Sequence, residues 1–285
     1  MQKLAILMPV HDRIDNITNH ISRLMSVSDK YHLFLSCSSS SDSIKSVISK
    51  LSSNNITIRY VPSTYYWSES INYLIQLALY NSYRFFCTLN DDVEVSYSSL
   101  RVAFDLIIED PLQLLSMHQY TPSSTIPFLA TCYRGKSLKP CTLVYQLLPT
   151  KPLELPIPST TNGCCLLFSE AVTDQIGTFD SSAAPHYYSD TIFQLFAQQL
   201  GIKHILVPVP LFQCLDKSYL ERLGKRNIFS KASYLYPPAF FKFTLLLSSF
   251  SQSPLHTFAY WYLQYIKQIF RHILKQVSGN IQSFL

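Results

Sequence analysis

Glycine is scarce in this chain, with six among 285 residues. Neither GxGxxG nor GxxxxGKS/T occurs, which excludes a glycine cradle of the dinucleotide or P-loop kind; a phosphate bound here must be held by something else. Charge is thin as well. Asp, Glu, Lys and Arg make up 14% of the chain, below the usual quarter, and the net charge is a mild +5. That balance excludes a disordered or nucleic-acid-coating chain and points at most to anionic ligands or an anionic membrane face. No apolar run reaches the ~18 residues of a spanning helix. The opening MQKLAILMPVHDR turns polar too soon for a signal peptide, and its run Leu4–Val10 reads as a first buried strand. The seven cysteines are odd in number, lack CxxC spacing and lie mostly in apolar runs. Reduced thiols in a cytoplasmic protein are the expectation.

What the chain does have is apolar bulk: 47% hydrophobic residues, with 19 Tyr and 18 Phe. That suffices for one large core, or a core plus a small appendage. Strand signals at Leu4–Val10, 31–35, 56–61 and 84–89 alternate with helical stripes of period 3.6. Ile14, Ile17, Ile21, Leu24 and Met25 form the first stripe. Ile44, Val47, Ile48 and Leu51 form the second, with Asp42 or Ser43 placed to cap it. Ile71, Leu74, Ile75, Ala78 and Leu79 form the third, opened by Ser68 or Ser70, and Leu100, Ala103, Phe104, Ile107 and Ile108 form the fourth, ending before Pro111. Repeated βα units place the chain in the α/β class, a parallel sheet covered by helices on both faces. Ligands of such sheets bind beyond the carboxyl ends of the strands. Asn90, Asp91 and Asp92, in CTLNDDVEV, stand at that edge. Two adjacent carboxylates cannot be buried unpaired without a cost of several kcal/mol, so they are solvated turn residues or half of a cation site.

Over 112–158 the periodicity weakens, leaving β-like runs at 128–133 and 141–148. TTNGCCLLF then reads as a strand, followed by a short helix capped by Ser169 and ended by Gly177. A further helix has Ile192, Leu195, Phe196 and Leu200 on its apolar side, Asp190 as cap and Gly201 as stop; KHILVPVPL reads as another strand. Beyond Asp216 the chain is basic (DKSYLERLGKRNIFSK), then strongly apolar (PPAFFKFTLLLSSF). An amphipathic helix follows over 258–277. Its apolar face holds Phe258, Trp261, Tyr262, Tyr265, Ile266, Ile269 and Ile273, and its polar face Gln264, Lys267, Gln268, Arg271 and Lys275.

In order along the chain, PVHDR, YYWSESIN, FFCTLNDDV, TNGCCLLFSEAVTDQIGTFD and HYYSDTIFQLFAQQLG resemble family 2 glycosyltransferases of the GT-A fold, of the bacterial surface-polysaccharide type. The resemblance runs from Ala5 to Cys214. It implies a GT-A-like, mostly parallel sheet sandwiched by helices over 1–215, divided into a nucleotide-binding half (1–110) and an acceptor half (111–215). A C-terminal helical appendage over 216–285 follows. The implied activity is inverting, metal-dependent transfer of a hexosyl or deoxyhexosyl group from a nucleoside diphosphate sugar to a hydroxyl of a growing surface glycan, such as lipopolysaccharide O-antigen or capsule. Asn90 takes the first position of the family's DxD motif, Asp91 the middle and Asp92 the last, the one that binds Mg2+ or Mn2+. A hard cation held by one or two carboxylates and bridging phosphate oxygens stabilises charge on a leaving diphosphate.

Asp190 is implied as the general base on the acceptor hydroxyl, and one base opposite the leaving group means inversion; its other reading is a plain N-cap. His11, Asp12, Arg13, Ser36, Trp67 and Asn72 are implied as nucleotide or donor contacts, against an ordinary βα turn for the first three and packing under the sheet for Trp67. Asn162, Gly163 and Cys164 match a stretch beside sugar and acceptor, with close strand packing the other role for Gly163. His186 touches acceptor or metal, or is a hydrogen-bonded loop histidine. Lys217, Arg222, Lys225 and Arg226 reach a diphosphate or an anionic lipid, or form a solvated face.

Three positions depart from the family. Strand two is followed by Ser36, Cys37 and Ser38 to Ser41 where an acid grips the base or ribose; the first DxD acid is Asn90; and Phe196 stands where an arginine often follows the base. A non-catalytic sugar-nucleotide or glycan-binding relative is therefore the alternative function. The expected partners are the donor and a glycan or lipid-linked acceptor, with no nucleic acid. The C-terminal helix suits a peripheral place on the inner face of the plasma membrane, the protein's own core, or a second subunit in a homodimer.

Overall fold

Alternating side chains set the frame. β1 (Leu4–Val10) sends Leu4, Ile6, Met8 and Val10 into one core, and Ala5 and Leu7 into another, as a strand covered on both faces must. The chain continues with β2 (Tyr31–Cys37), α1 (Asp42–Ser49), β3 (Ile56–Tyr60), α2 (Trp67–Tyr80), β4 (Phe85–Leu89), β5 (Val93–Val95), α3 (Tyr97–Glu109) and β6 (Gln113–Tyr120). Then follow β7 (Ala130–Arg134), β8 (Lys139–Leu143), β9 (Leu153–Glu154), β10 (Ser159–Thr160), β11 (Cys165–Ser169), α4 (Glu170–Ile176), α5 (Ser189–Gln199), β12 (Lys203–Gln213), α6 (Pro237–Ser248) and α7 (Pro254–Gln282). The computed structural model describes residues 2–11, 30–50, 54–95, 97–120, 128–143, 150–213 and 230–282. The helix expected from Ile14 to Met25 lies outside them, as do Asp12, Arg13 and the basic residues Lys217, Arg222, Lys225 and Arg226.

The main sheet runs β3-β2-β1-β4-β11-β6-β12-β5, with β9 also on β12. Its first four strands are parallel. β11 enters antiparallel between β4 and β6, β12 is parallel to β6, and β5 closes the edge antiparallel to β12. The chain moves from β1 outward to β3, then returns to place β4 on the other side of β1. The carboxyl ends of β1 and β4 therefore flank the point where strand order reverses, where open α/β sheets bind ligands.

Helices cover both faces. Ile48 of α1 and Leu100, Ala103, Phe104 and Ile107 of α3 fill one core; α2, α4 and α5 fill the other through Ile71, Leu74, Ile75, Val172, Phe193 and Ala197. The appendage is joined to this body. Ala239, Phe243 and Leu247 of α6 pack on Ile192 and Leu195 of α5, Lys242 pairs with Asp180, and Phe240 stacks on Tyr265 of α7 at 4.4 Å.

Several local expectations are corrected. β6 falls in the stretch whose periodicity looked weak: it buries Ser116, His118 and Gln119, and Ser116 Oγ shares a 2.9 Å hydrogen bond with His204 Nε2 of β12. Polar side chains satisfied by partners on another strand hide a strand from a hydropathy pattern. Ser169 precedes α4 without capping it, its hydroxyl donating to the Pro111 carbonyl instead. α2 opens with the Glu69 carboxylate accepting from the Tyr66 N–H at 2.8 Å, while the Ser68 hydroxyl donates to the Ala184 carbonyl at 2.9 Å. α1 has Ser41 at its N-cap, with no side-chain capping bond there. The stops hold: Gly177 and Gly201 both have positive φ, 76° and 80°, which glycine adopts without a Cβ clash. On α5, Ile192 and Leu195 are buried, whereas Phe196 and Leu200 are 39% and 50% exposed.

Candidate active site

β4 ends at Leu89, and the next three residues form the turn into β5. This turn is pinned by its neighbours. The Asn90 N–H donates to the Cys164 carbonyl at 3.1 Å and the Val93 N–H to the Asn90 carbonyl at 3.3 Å. The Trp67 indole N–H, at the start of α2, donates to Asn90 Oδ1 at 2.8 Å. The Asn90 amide thus locks the turn to α2. Asp92 is 8% exposed and Asp91 half-buried.

Asp190 approaches from the other side. The expected N-cap role is corrected: α5 has Tyr188 at its N-cap, at a left-handed φ of 65°, so Asp190 lies inside the first turn. Its Oδ2 accepts the Gly163 N–H at 2.7 Å. A Cβ on Gly163 would sit 2.2 Å from the Asp190 Cβ and 2.6 Å from Oδ2, so only glycine permits this approach. The Gly163 segment is itself stitched to β4: the Thr88 hydroxyl donates to the Gly163 carbonyl at 2.9 Å and accepts the Leu166 N–H at 3.0 Å. Burial pushes the Asp190 carboxyl up from its ordinary value; the N–H groups of Gly163 and Thr191 oppose that without cancelling it. The Cys164 thiol records both acids. Burial drives it well up, and Cys165, Asp92 and Asp190 add to the shift.

These pieces line one cleft of about 420 Å³ at the carboxyl ends of β1 and β4. Of the residues read from the sequence, it brings together His11, Trp67, Asn90, Asp91 and Asp92 with Asn162, Gly163, Cys164, His186 and Asp190. Two of the described ones do not join them. Ser36 is buried inside β2. Asn72 clamps backbone instead, its side-chain amide accepting the Phe179 N–H at 3.0 Å and donating to the Phe179 carbonyl at 2.7 Å. Asn162 reaches Gln119 Oε1 of β6 at 2.5 Å. Where the family places an acid after strand two, this chain places Ser38, which lines the cleft and shares a 2.9 Å hydrogen bond with His11 Nδ1.

The sequence reading missed Ser63, Tyr65, Tyr66, Ser70, Tyr187 and Ala232 in the lining. The aromatic runs YYW and HYY that contain Trp67 and His186 were the available signal. Tyr66 and His186 face each other with ring centroids 6.4 Å apart.

Among the described residues no group of three His, Cys, Asp or Glu side chains converges on a metal position. The donor set nonetheless fits one kind of ion. Two adjacent carboxylates at one rim suit a hard divalent cation that completes its shell with water and phosphate oxygens, rather than an all-protein cage.

No protein-family model matches the sequence, and no curated protein matches it. Its fold does match solved structures. One is a crystal structure of GalNAc-T7 with UDP, GalNAc and Mn2+, with a TM-score of 0.60 at 8% identity, covering 87% of this chain. The match covers 48% of that structure, so this chain spans about half its length. At such identity the likeness is one of fold, and the fold is GT-A-like: a large central sheet between helical layers, with C-terminal helices.

Proposed function

We propose that this chain is a glycosyltransferase that moves a sugar from a nucleoside diphosphate sugar to a hydroxyl group, with Mg2+ or Mn2+ held at Asp92, and with Asp91 beside it on the donor side. The observation that carries this reading is that Asp92 and Asp190 line the same cleft at the strand-order switch of a GT-A-like sheet. When bound, the cation supplies positive charge against the leaving diphosphate. The protein's own side chains do the rest. Trp67 and Asn90 fix the turn that carries the cation ligand, and Ser38 and His11 face the nucleotide side. Asp190, ionised and held by the Gly163 N–H, accepts the acceptor's hydroxyl proton as that oxygen attacks the anomeric carbon and the bond to the diphosphate breaks. A single base on the face opposite the leaving group gives inversion. The motifs shared with family 2 enzymes make a bacterial surface glycan, O-antigen or capsule, the acceptor class.

One observation favours a second reading. The Gly163 N–H already occupies Asp190 Oδ2, as it would in a non-catalytic glycan-binding relative that keeps Asp190 only as a clamp. Transfer and donor hydrolysis by the wild type, Asp190→Asn and Asp92→Ala separate the two. The enzyme reading expects wild-type turnover that both substitutions lower by about a hundredfold or more. Turnover at the wild-type level in Asp190→Asn contradicts it.

A further inference from the structure

α7 has more apolar surface than its packing uses. Its inner side lies on α6: Trp261 meets Phe243 edge-on at 5.2 Å, and Tyr265 donates its hydroxyl to the Leu235 carbonyl at 2.9 Å. Facing away, Leu255, Leu263, Phe270 and Leu274 are 87%, 58%, 62% and 66% exposed, and Ile273 is 44% exposed. At 100° per residue these five fall within an arc of about 100° on the side opposite Trp261. Lys267 and Arg271, both exposed, border that arc. The apolar face expected from the sequence therefore divides. Trp261 and Tyr265 serve the core, and an outer stripe through Leu263, Phe270 and Leu274, absent from that reading, is left over.

Charge identifies what this stripe meets. Residues 222–285 carry eight Lys and Arg and no Asp or Glu, while residues 1–221 carry the other fifteen against all 18 acids. The net charge of +5 is thus a C-terminal +8 set against −3 elsewhere. A second copy seated face to face on the same stripe would oppose cation to cation. An anionic surface complements it. At 29 residues α7 is long, yet no helix among the described residues is both long and apolar enough to cross a membrane. Apolar width with a basic border is the pattern of a helix lying in a lipid interface.

We propose that α7 docks the protein on the headgroup layer of an anionic phospholipid membrane, with Leu263, Phe270 and Leu274 entering the acyl boundary and Lys267 and Arg271 among the phosphates. α6 connects this surface to the first turns of α5, and Ala232, just before α6, lines the cleft. The inference does not depend on catalysis, since it is read by binding alone.

The test is co-sedimentation of the full chain with vesicles of phosphatidylglycerol and phosphatidylcholine in equal parts, against phosphatidylcholine alone. The expected result is binding to the anionic vesicles that weakens with salt. Lys267→Gln with Arg271→Gln weakens it about fivefold per charge, and Phe270→Glu with Leu274→Glu about tenfold or more. All four side chains are exposed, so the melting temperature stays near the wild-type value; should the Glu pair misfold, the Gln pair and the salt titration still decide. Wild-type binding that ignores both pairs of substitutions, or no binding by the wild type, overturns the proposal. So does self-association in solution that the Glu pair abolishes while vesicle binding is absent, which would assign the stripe to a second copy.

Discussion

The two rims of the cleft hold their carboxylates by different means. At the β4 rim, Asp91 and Asp92 ride on a tight turn pinned at Asn90 by backbone and by the Trp67 indole. At the α5 rim, Asp190 is clamped by a glycine N–H from a separate segment and raised in proton affinity by burial. The first arrangement fixes the backbone that presents two adjacent carboxylates. The second fixes one oxygen and makes it a better proton acceptor, at some cost to the ionised form. The proposed cation site and base need those two different things, and substitutions at the two rims should fail differently.

The largest expected effect is at the α5 rim. Asp190→Asn keeps the side-chain shape but removes the base, and turnover should fall by about 10²–10⁴-fold with donor binding unchanged. Gly163→Ala should come next. The Cβ displaces Asp190 or its loop, and misplacing a reacting group by about 1 Å costs about a hundredfold; single-turnover rates on the variant check it. The pH profile sharpens the contrast. With Asp190 raised, protonation in the folded protein begins above the ~3.9 of a free aspartate. Activity should therefore fall in acid with an apparent pKa above that value, and Asp190→Asn should erase this limb. Trp67→Phe at the β4 rim removes one hydrogen bond from the turn, worth about 1 kcal/mol, and should raise KM for the donor about fivefold with little change in kcat.

The smallest effect lies away from both rims. Burial alone would raise the Asp180 carboxyl, but the Lys242 ammonium, the Ala183 N–H and the Ser182 hydroxyl outweigh it and hold the group down at about 2. A depressed acid stabilises the fold above its unfolded value, ~3.9, and loses that contribution as pH falls towards 2. Lys242→Ala should cost at most about 1 kcal/mol of unfolding free energy at neutral pH, because both side chains are partly exposed. The difference from wild type should disappear near pH 2; urea melts across that range measure it.

The first hundred residues are readable because their elements obey simple periods. Leu4, Ile6 and Met8 against Ala5 and Leu7 alternate across β1, and Ile71, Leu74, Ile75 and Ala78 repeat along α2. Asn90, Asp91 and Asp92 were legible for the same reason, since an acidic turn after an apolar strand falls at the sheet's ligand edge. Contacts between distant segments left no such trace. Nothing local in the sequence announces that Asn72 will clamp the Phe179 backbone, that Ser38 rather than Ser36 reaches the cleft, or that Ser116 and His204 pair inside the sheet. The outer stripe of α7 is hidden in the sequence because its apolar residues interleave with those of the packed face.

The central claim is that Asp92 and Asp190 serve one bound substrate from opposite sides. Thermal shift with UDP-, dTDP- and GDP-sugars, with and without Mn2+, on the wild type, Asp92→Ala and Asp190→Asn tests it most directly. The account predicts that one nucleotide class stabilises the wild type and Asp190→Asn only when the divalent cation is present, and that Asp92→Ala loses this response. Stabilisation that persists in EDTA, or that Asp92→Ala retains, would contradict it.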